Sequence, residues 1–194
     1  MPVRTGKARV IGIEPASLVT KSLVREVKTD DAGCFQSALN PGLTKIAVIE
    51  RHKRTGKRGI GILEGYGLTG GAIATTISHD SHNIVVAGDN DPDMLLAVRE
   101  LADMGGGIVS VHGGAIRRLP LPIAGLMTSA DPQEVNAVLH DMLVAARAEL
   151  GIPEDVEPFM TLSFMALPVI PELKLTARGL FNVNTFSFVG VEAD

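Results

Sequence analysis

Hydrophobic and polar residues alternate along several short stretches in the first half of the chain. Residues 8–14 and 22–28 show the two-residue period of a half-buried strand. Residues 45–52 and 59–66 flank the basic turn KRTGKR, a pattern that predicts an antiparallel hairpin with a solvated tip. The runs AIATTIS and NIVVAGD are rich in Ile, Val and Thr and also predict strands. Residues 29–42 are rich in turn-forming residues, so we expect a loop there.

Two later segments repeat apolar residues at helical spacing. The first, DMLLAVRELADM, follows Asn90 and Asp91, either of which can cap a helix, and three glycines end it before the strand-like IVSVH. The second runs from about residue 132 to 150, with Asp131 or Ser129 placed to cap it. Its apolar face comprises Val135, Val138, Leu139, Met142, Leu143 and Ala146.

The C-terminal part of the chain is less periodic. Residues 157–176 contain three prolines and predict either a buried extended segment or a short broken helix, and GLFNVNTFSFVGV predicts one final strand. Strands interspersed with two helices predict a single domain of the α/β or α+β class, with a mixed β-sheet and two main helices packed on it. Within it, residues 1–42 supply N-terminal strands and a loop, and residues 43–194 the main α/β body.

Composition narrows the possible classes of protein. Of 194 residues, 45% are hydrophobic but only 4% aromatic, so the core must be aliphatic. The net charge of −4 argues against a nucleic-acid partner, which would require a basic face. Cys34 is the only cysteine, so no internal disulfide can form and a reducing cytoplasm is expected. The start of the chain does not resemble a signal peptide, and no apolar run reaches the roughly 18 residues of a membrane span.

The densest polar cluster is SHDSHN, which lies between two apolar runs and contains His79, Asp80, His82 and Asn83. Imidazole and carboxylate groups at this spacing suit a metal site, or a histidine–carboxylate pair in acid–base catalysis. The same residues also suit a tight turn held by side chains that bond their own backbone. From the residues alone, all three interpretations stay open.

Other polar positions carry weaker signals. Glu50 and His52 end a predicted strand and can reach a pocket, whereas Arg51 is expected at a solvated strand end. The glycines of GYGLTGGA match neither a dinucleotide-binding fingerprint nor a phosphate-binding loop. LPLPIAGLMT predicts a rigid connection into a small-residue turn, which either lines a cavity or crosses under the second helix.

Four stretches, in this order, resemble the C-terminal region of microbial adenine deaminases. They are RVIGIEPASLVTKSLV, KIAVIERHKRTGKRGIGILEGYGLTGGAIATTISHDSHNIVVAGDND, LPLPIAGLMT and PFMTLSFMALPVIPELKLT, and the likeness extends from about residue 9 to 188. The resemblance implies a role in converting adenine and water to hypoxanthine and ammonia. It also implies the amidohydrolase superfamily, whose enzymes use divalent metals in a (β/α)₈ barrel.

The barrel itself is not expected in this chain, because 194 residues are too few for about 250 and no His-x-His pair occurs. The resemblance therefore implies a C-terminal domain, inactive alone, that covers or completes the site of a barrel on the same or a separate chain. That barrel would hold Mn, Fe or Zn, with no metal ligand from this chain, in a cytoplasmic and homo-oligomeric enzyme. Family-like positions available for catalysis are His79, Asp80 and His82, and those for binding adenine are Asn83, Glu50 and His52.

Two alternatives belong to other functional classes. The chain could be a structural or oligomerisation module without a catalytic role, or a free-standing domain that binds a small molecule or a metal. The surface around SHDSHN discriminates between them. A concave polar site favours the enzymatic interpretation, a cluster satisfied by its own backbone favours the structural module, and a metal held by this chain alone favours the third.

Overall fold

A computed structural model describes residues 1–193 and shows an eight-stranded mixed sheet, a three-stranded sheet and three α-helices. The large sheet comprises β1 (Lys7–Ile13), β2 (Thr20–Glu26), β3 (Leu43–Ile49), β4 (Arg58–Glu64), β5 (Gly71–Thr75), β6 (Ile84–Gly88), β7 (Gly107–His112) and β8 (Ala115–Pro120). Its spatial order is β2-β1-β4-β3-β6-β5-β7-β8, and only the β1–β4 pair is parallel.

The remaining elements follow β6 and β8 in the chain. They are α1 (Asp91–Asp103), α2 (Pro132–Ala148), α3 (Pro158–Phe164), and the small-sheet strands β9 (Leu173–Thr176), β10 (Gly179–Asn182) and β11 (Ser187–Val189). The predicted fold class, one domain with a mixed sheet and two long helices, is confirmed in its α+β form. Segments 1–42 and 43–194 both contribute strands to the large sheet.

The two long helices begin where the capping residues predict. The Asn90 side chain accepts a hydrogen bond from the Asp93 N–H (2.9 Å), and Asp131 accepts one from the Gln133 N–H (2.7 Å). Each cap satisfies an N–H group that has no partner inside its helix. A proline follows in the first turn of each helix, where its missing N–H costs nothing.

Alternation along the central strands divides the core between the two faces of the sheet. On β3, Ile46 and Val48 pack with residues of α2, α3, β9 and β10, whereas Ala47 and Ile49 pack on the α1 face. A third cluster, which includes Phe35, lies under the N-terminal segment. The central strands are therefore covered on both sides, which explains why β5 and β6 are buried at every position.

The C-terminal tail differs from the single strand that its alternation predicts. Asn182 accepts a hydrogen bond from the Thr185 N–H (3.1 Å), and Phe186 adopts φ +50°, so the chain reverses and forms a β10–β11 hairpin. In residues 157–176 the broken-helix alternative is confirmed, since α3 is followed by β9.

Strand β8 has no counterpart among the predicted elements. It contains two adjacent arginines, and Arg117 pairs with Glu149 (2.7 Å) and with Asp141 on α2 (3.2 Å). These polar residues break the alternation that would identify the strand. Among residues 1–193, none of the helices has the length and apolar composition needed to cross a membrane.

Candidate functional site

The two loops that carry the predicted site residues meet at one end of the large sheet. Strands β3 and β6 are antiparallel neighbours, with Ile49 paired to Ile84, so the loop after β3 lies beside the loop before β6. We name residues 50–57 the basic loop and residues 76–83 the histidine loop. A groove of about 820 Å³ separates both loops from the small sheet.

Arg51 joins three segments of the chain at this end of the sheet. Its Nε donates to the His82 carbonyl oxygen and one of its terminal nitrogens donates to the Ala124 carbonyl oxygen, both at 2.6 Å. Its side chain is half-buried, and burial lowers the pKa of its guanidinium. The expectation of a solvated Arg51 is therefore wrong, because the guanidinium hydrogen-bonds to carbonyl groups far away in sequence.

Glu50 organises the basic loop. Its carboxylate accepts hydrogen bonds from the backbone N–H groups of His52 and Lys53 (2.6 Å each) and from the N–H and hydroxyl of Thr55 (3.0 and 2.8 Å). Bonds to the charged form favour that form, so the pKa of Glu50 falls to about 2, with the Thr55 and Lys53 amides as the largest causes. The side chain borders the groove but already has four donors from its own loop.

His52 ties the two loops together. Its Nε2 lies 2.7 Å from the Ser81 carbonyl oxygen, and a carbonyl can only accept, so Nε2 carries the proton. The imidazole is exposed. Together with Arg51, it fixes the backbone of the histidine loop from outside, through two successive carbonyl groups.

The histidines of SHDSHN lie close together but in different surroundings. The rings of His79 and His82 are 5.7 Å apart, and the His79 ring lies against Phe164 with centroids at 4.5 Å. Within residues 1–193, neither ring nitrogen of His79 has a hydrogen-bond partner, and the exposed Asp80 carboxylate has no donor. Both groups therefore remain available to a ligand.

The surroundings of His82 favour its neutral form over its charged form. Its backbone N–H donates to the Ser78 carbonyl oxygen (2.6 Å), and its Nδ1 faces the Ser78 N–H at 3.4 Å. Burial is the largest cause that lowers the pKa of His82, followed by the neighbouring His79 and Arg51. Because Nδ1 faces a donor, the proton of the neutral ring belongs on Nε2, which leaves an N–H group able to donate.

Asn83 and the turn after β8 are the remaining parts of the site, and both contact the histidine loop or Arg51. Asn83 is buried, and its side-chain oxygen faces the Arg51 N–H at 3.4 Å. The predicted small-residue turn follows β8 and contains Gly125, whose carbonyl oxygen accepts from the buried Thr76 hydroxyl (2.6 Å). The turn therefore supports the base of the histidine loop and the Arg51 guanidinium.

Residues of both loops and of the small sheet line the groove. On the loop side they include Glu50, Lys53, Thr55, Lys57, Asp80, Ser81 and Asn83. The opposite wall is formed by Ala166, Pro168, Thr176, Ala177, Arg178, Phe181, Phe186 and Phe188. No local pattern predicts this aromatic wall, since its three phenylalanines fall on the segment predicted as one strand. The surface beside SHDSHN is thus concave and polar on one side and aromatic on the other.

The donor set does not suit a metal held by this chain alone. In the part of the chain that the structure describes, no group of three or more His, Cys, Asp or Glu side chains converges as metal ligands would. His79, Asp80 and His82 are as many donors as a catalytic zinc site uses, but they do not converge on one position. No chemical step is therefore assigned to a metal bound within residues 1–193.

Similarity to known proteins covers nearly the whole chain. Residues 17–187 match the family described as "Adenine deaminase C-terminal domain". The chain is 60% identical over 192 residues to an adenine deaminase of Nitratidesulfovibrio vulgaris strain Hildenborough, covering 98% of this chain and 33% of that relative. It is 48% identical to adenine deaminase 2 of Carboxydothermus hydrogenoformans (98% and 33%) and 46% identical to an adenine deaminase of Clostridium acetobutylicum (95% and 32%).

The chain thus spans about a third of the length of the curated relatives that it matches. The family match begins between β1 and β2 and ends at the first residue of β11, so it includes both loops and every groove-lining residue except Phe188. The resemblance inferred from the four sequence stretches is confirmed: this chain belongs to the adenine deaminase C-terminal domain family.

Proposed function

We propose that this chain acts as the C-terminal domain of an adenine deaminase, in which it completes or covers the active site of a catalytic barrel. The complete enzyme would hydrolyse adenine to hypoxanthine and ammonia, a step of purine salvage or adenine catabolism. One observation carries the proposal: in a domain of this family, the exposed Asp80 carboxylate, which has no donor within residues 1–193, lines the groove of about 820 Å³ that both loops border, and His79 is its neighbour in the chain.

Three side chains have chemistry suited to that role. The Asp80 carboxylate can accept a hydrogen bond from a purine N–H or amino group, and the neutral His82 can donate one from Nε2. His79, which has no bonded ring nitrogen within residues 1–193, can orient a substrate or carry a proton. Glu50, His52 and Asn83 support this set, since their own bonds hold the two loops in place.

The metal chemistry belongs, in this proposal, to the barrel. A divalent Mn, Fe or Zn ion in the barrel would make hydroxide available near neutral pH. The residues of this chain would exclude water and hold the purine edge. We therefore expect the purified chain not to convert adenine, with or without added Mn²⁺, Fe²⁺ or Zn²⁺. Metal-dependent loss of adenine absorbance by the chain alone would refute this division of labour.

A hybrid enzyme tests the role of the histidine loop. In it, this chain replaces the C-terminal third of the Nitratidesulfovibrio vulgaris adenine deaminase, to which it is 60% identical. We expect His79→Ala or His82→Ala to lower kcat/KM by about a hundredfold or more, the range typical of acid–base and positioning groups. His140→Ala, on the exposed side of α2, is the matched control and should leave turnover unchanged.

A structural role for the cluster is the second candidate, favoured by the hydrogen bonds between Ser78 and His82. It makes a different prediction for the same hybrid. Loss of activity would then follow loss of stability, so His79→Ala and His82→Ala would lower Tm and leave kcat of the folded fraction unchanged. Measuring Tm beside kcat and KM separates the two roles. Self-association of the complete enzyme stays a prediction.

A further inference from the structure

An exposed aromatic surface forms the outer wall of the groove. In the β10–β11 hairpin, Phe181 is buried, but Phe186 and Phe188 are 79% and 44% exposed. Both rings contact Phe181 edge to face, with centroids 5.3 and 5.2 Å away. We name residues 178–189 the aromatic hairpin. Its exposed rings are held by a buried one, so they form a fixed apolar surface rather than freely moving side chains.

The backbone conformation of Phe186 also indicates that this residue is not there for folding stability alone. It adopts φ +50°, a left-handed conformation that is unfavourable for a bulky L-residue. Folding alone gains little from placing a phenylalanine there, since most of its surface faces solvent. Large exposed apolar groups are typical of interaction sites, and aromatic residues and Arg are enriched at the centres of interfaces.

Unpaired cations surround the aromatic surface. Lys53 and Lys57 of the basic loop and Arg178 of the aromatic hairpin all border the groove. Within residues 1–193, none of them has a carboxylate within ion-pair distance. The Arg178 guanidinium lies over the Phe188 ring, 4.7 Å from its centroid, so charge and aromatic surface are presented together. Glu50 and Asp80 also line the groove, but the Glu50 carboxylate is bonded within its own loop, so the three unpaired cations make this face more basic than the chain as a whole, whose net charge is −4.

We propose that the aromatic hairpin and the basic loop form the docking surface for the catalytic part of the adenine deaminase. The partner surface would present an apolar pocket for Phe186 and Phe188, with Asp or Glu side chains at its rim opposite Lys53, Lys57 and Arg178. This inference rests on the proposed function and names the surface through which the domain reaches its partner. It places the contact on both walls of the groove that Asp80, Ser81 and Asn83 of SHDSHN also line.

Two observations favour the catalytic part over a second copy of this chain. The curated relatives carry about twice as much additional chain as the domain itself, so a large partner is present in those proteins. A symmetric pair of this chain would instead bring the same basic face against itself, and like charges across an interface oppose association. An acidic partner gains from the same charges, which also speed its approach.

Hydrogen–deuterium exchange of the hybrid enzyme and of the chain alone tests the surface. We expect amides of residues 179–189 and 50–58 to exchange at least about tenfold more slowly in the hybrid, because docking suppresses local opening. Phe186→Asp should abolish that protection, and Asp tolerates a positive φ, so the hairpin itself should persist. The matched control is Leu95→Asp on α1, a half-exposed apolar residue on the other face of the sheet, which should leave the protection intact.

Charge reversal gives a second measurement. Lys57→Glu should weaken the protection most at low salt, because screening reduces the contribution of exposed charges as salt rises. Equal exchange of both segments in the hybrid and in the chain alone would overturn the proposed surface. So would concentration-dependent dimerisation of the chain that Phe186→Asp abolishes, since it would identify a second copy as the occupant.

The proposed function and the docking surface fail in different ways. Protection of the hairpin with turnover insensitive to His79→Ala and His82→Ala would support docking and refute the catalytic role. Turnover that depends on those histidines, with no protection of the hairpin, would support the catalytic role and refute this surface.

Discussion

Lys174 allows a quantitative test of how much a buried charge lowers the stability of this fold. It lies on β9 with no exposed surface, and its Nζ donates to the Leu18 carbonyl oxygen at 2.8 Å. No carboxylate within residues 1–193 pairs with it. Burial therefore lowers the pKa of Lys174 from 10.5 to about 8.

The sign of the effect on stability follows from proton binding. Between about pH 8 and 10.5 the unfolded chain keeps a proton that the folded chain has released, so stability rises with pH over that window. At about 1.4 kcal/mol per pH unit, the full rise is on the order of 3 kcal/mol. Below pH 8 the charged lysine destabilises the fold by that whole amount.

Replacing Lys174 by Met removes the charge but leaves the Leu18 carbonyl without its donor, at a cost of about 1 kcal/mol. We therefore expect Lys174→Met to be more stable than the unchanged chain by roughly 2 kcal/mol at pH 7. The advantage should shrink as pH rises toward 10, because the native lysine then loses its charge. At still higher pH the unchanged chain should become the more stable of the two, because its neutral amine donates to the Leu18 carbonyl without the cost of burying a charge.

Urea unfolding at pH 7, 8, 9 and 10 measures this difference, with Lys7→Met on the exposed end of β1 as the matched control. Buried Tyr66 has a raised pKa and lowers stability above about pH 10. Because both proteins contain Tyr66, its effect cancels in their difference. The free energies of unfolding of Lys174→Met and the unchanged chain should differ by an amount that depends on pH. A difference that stays constant from pH 7 to 10 would refute a pKa of Lys174 lowered by burial.

Three further predictions concern the loops of the site. Glu50→Gln should lower Tm at neutral pH, because the charged Glu50 carboxylate, with its lowered pKa, stabilises the fold. The difference in Tm between the variant and the unchanged chain should disappear as pH falls from about 4.5 to 2, and a constant difference across that range would contradict the prediction. Arg51→Ala should lower the free energy of unfolding by about 2 kcal/mol, because it removes charge-assisted bonds to the His82 and Ala124 carbonyls. Arg51→Lys should not restore that stability, since one ammonium group cannot reproduce the guanidinium geometry. Gly125→Ala should destabilise the chain by about 1–3 kcal/mol, because Gly125 has φ +75° and an added Cβ would lie 2.8 Å from the Arg51 guanidinium. Urea unfolding that shows no loss of stability would contradict this and mean that the turn adapts.

Much of the candidate site could be located from sequence, but its organisation could not. SHDSHN stands out because polar residues interrupt two buried strands, and the structure places it at a loop beside a groove. Arg51 was expected in solvent because local pattern says only that a strand ends there. Its partners lie 31 and 73 residues away, and no local period reports such distances.

The sequence by itself determined the elements whose burial is regular. Alternation identifies β1 and β2, the basic turn between two apolar runs identifies β3 and β4, and runs rich in β-branched residues identify β5 to β7. Caps and helical spacing identify α1 and α2. The four family-like stretches, covering most of the chain, also identify the family without any tertiary information.

Only the tertiary structure decided which of these elements meet. The adjacency of β3 and β6 brings the basic loop to the histidine loop, and the β10–β11 hairpin adds the aromatic wall opposite them. The burial of Lys174 and the exposure of Phe186 depend likewise on neighbours distant in sequence. The physical reason is that periodicity reports how one element is buried, whereas strand order and loop contacts are set by pairing energies summed over the whole fold.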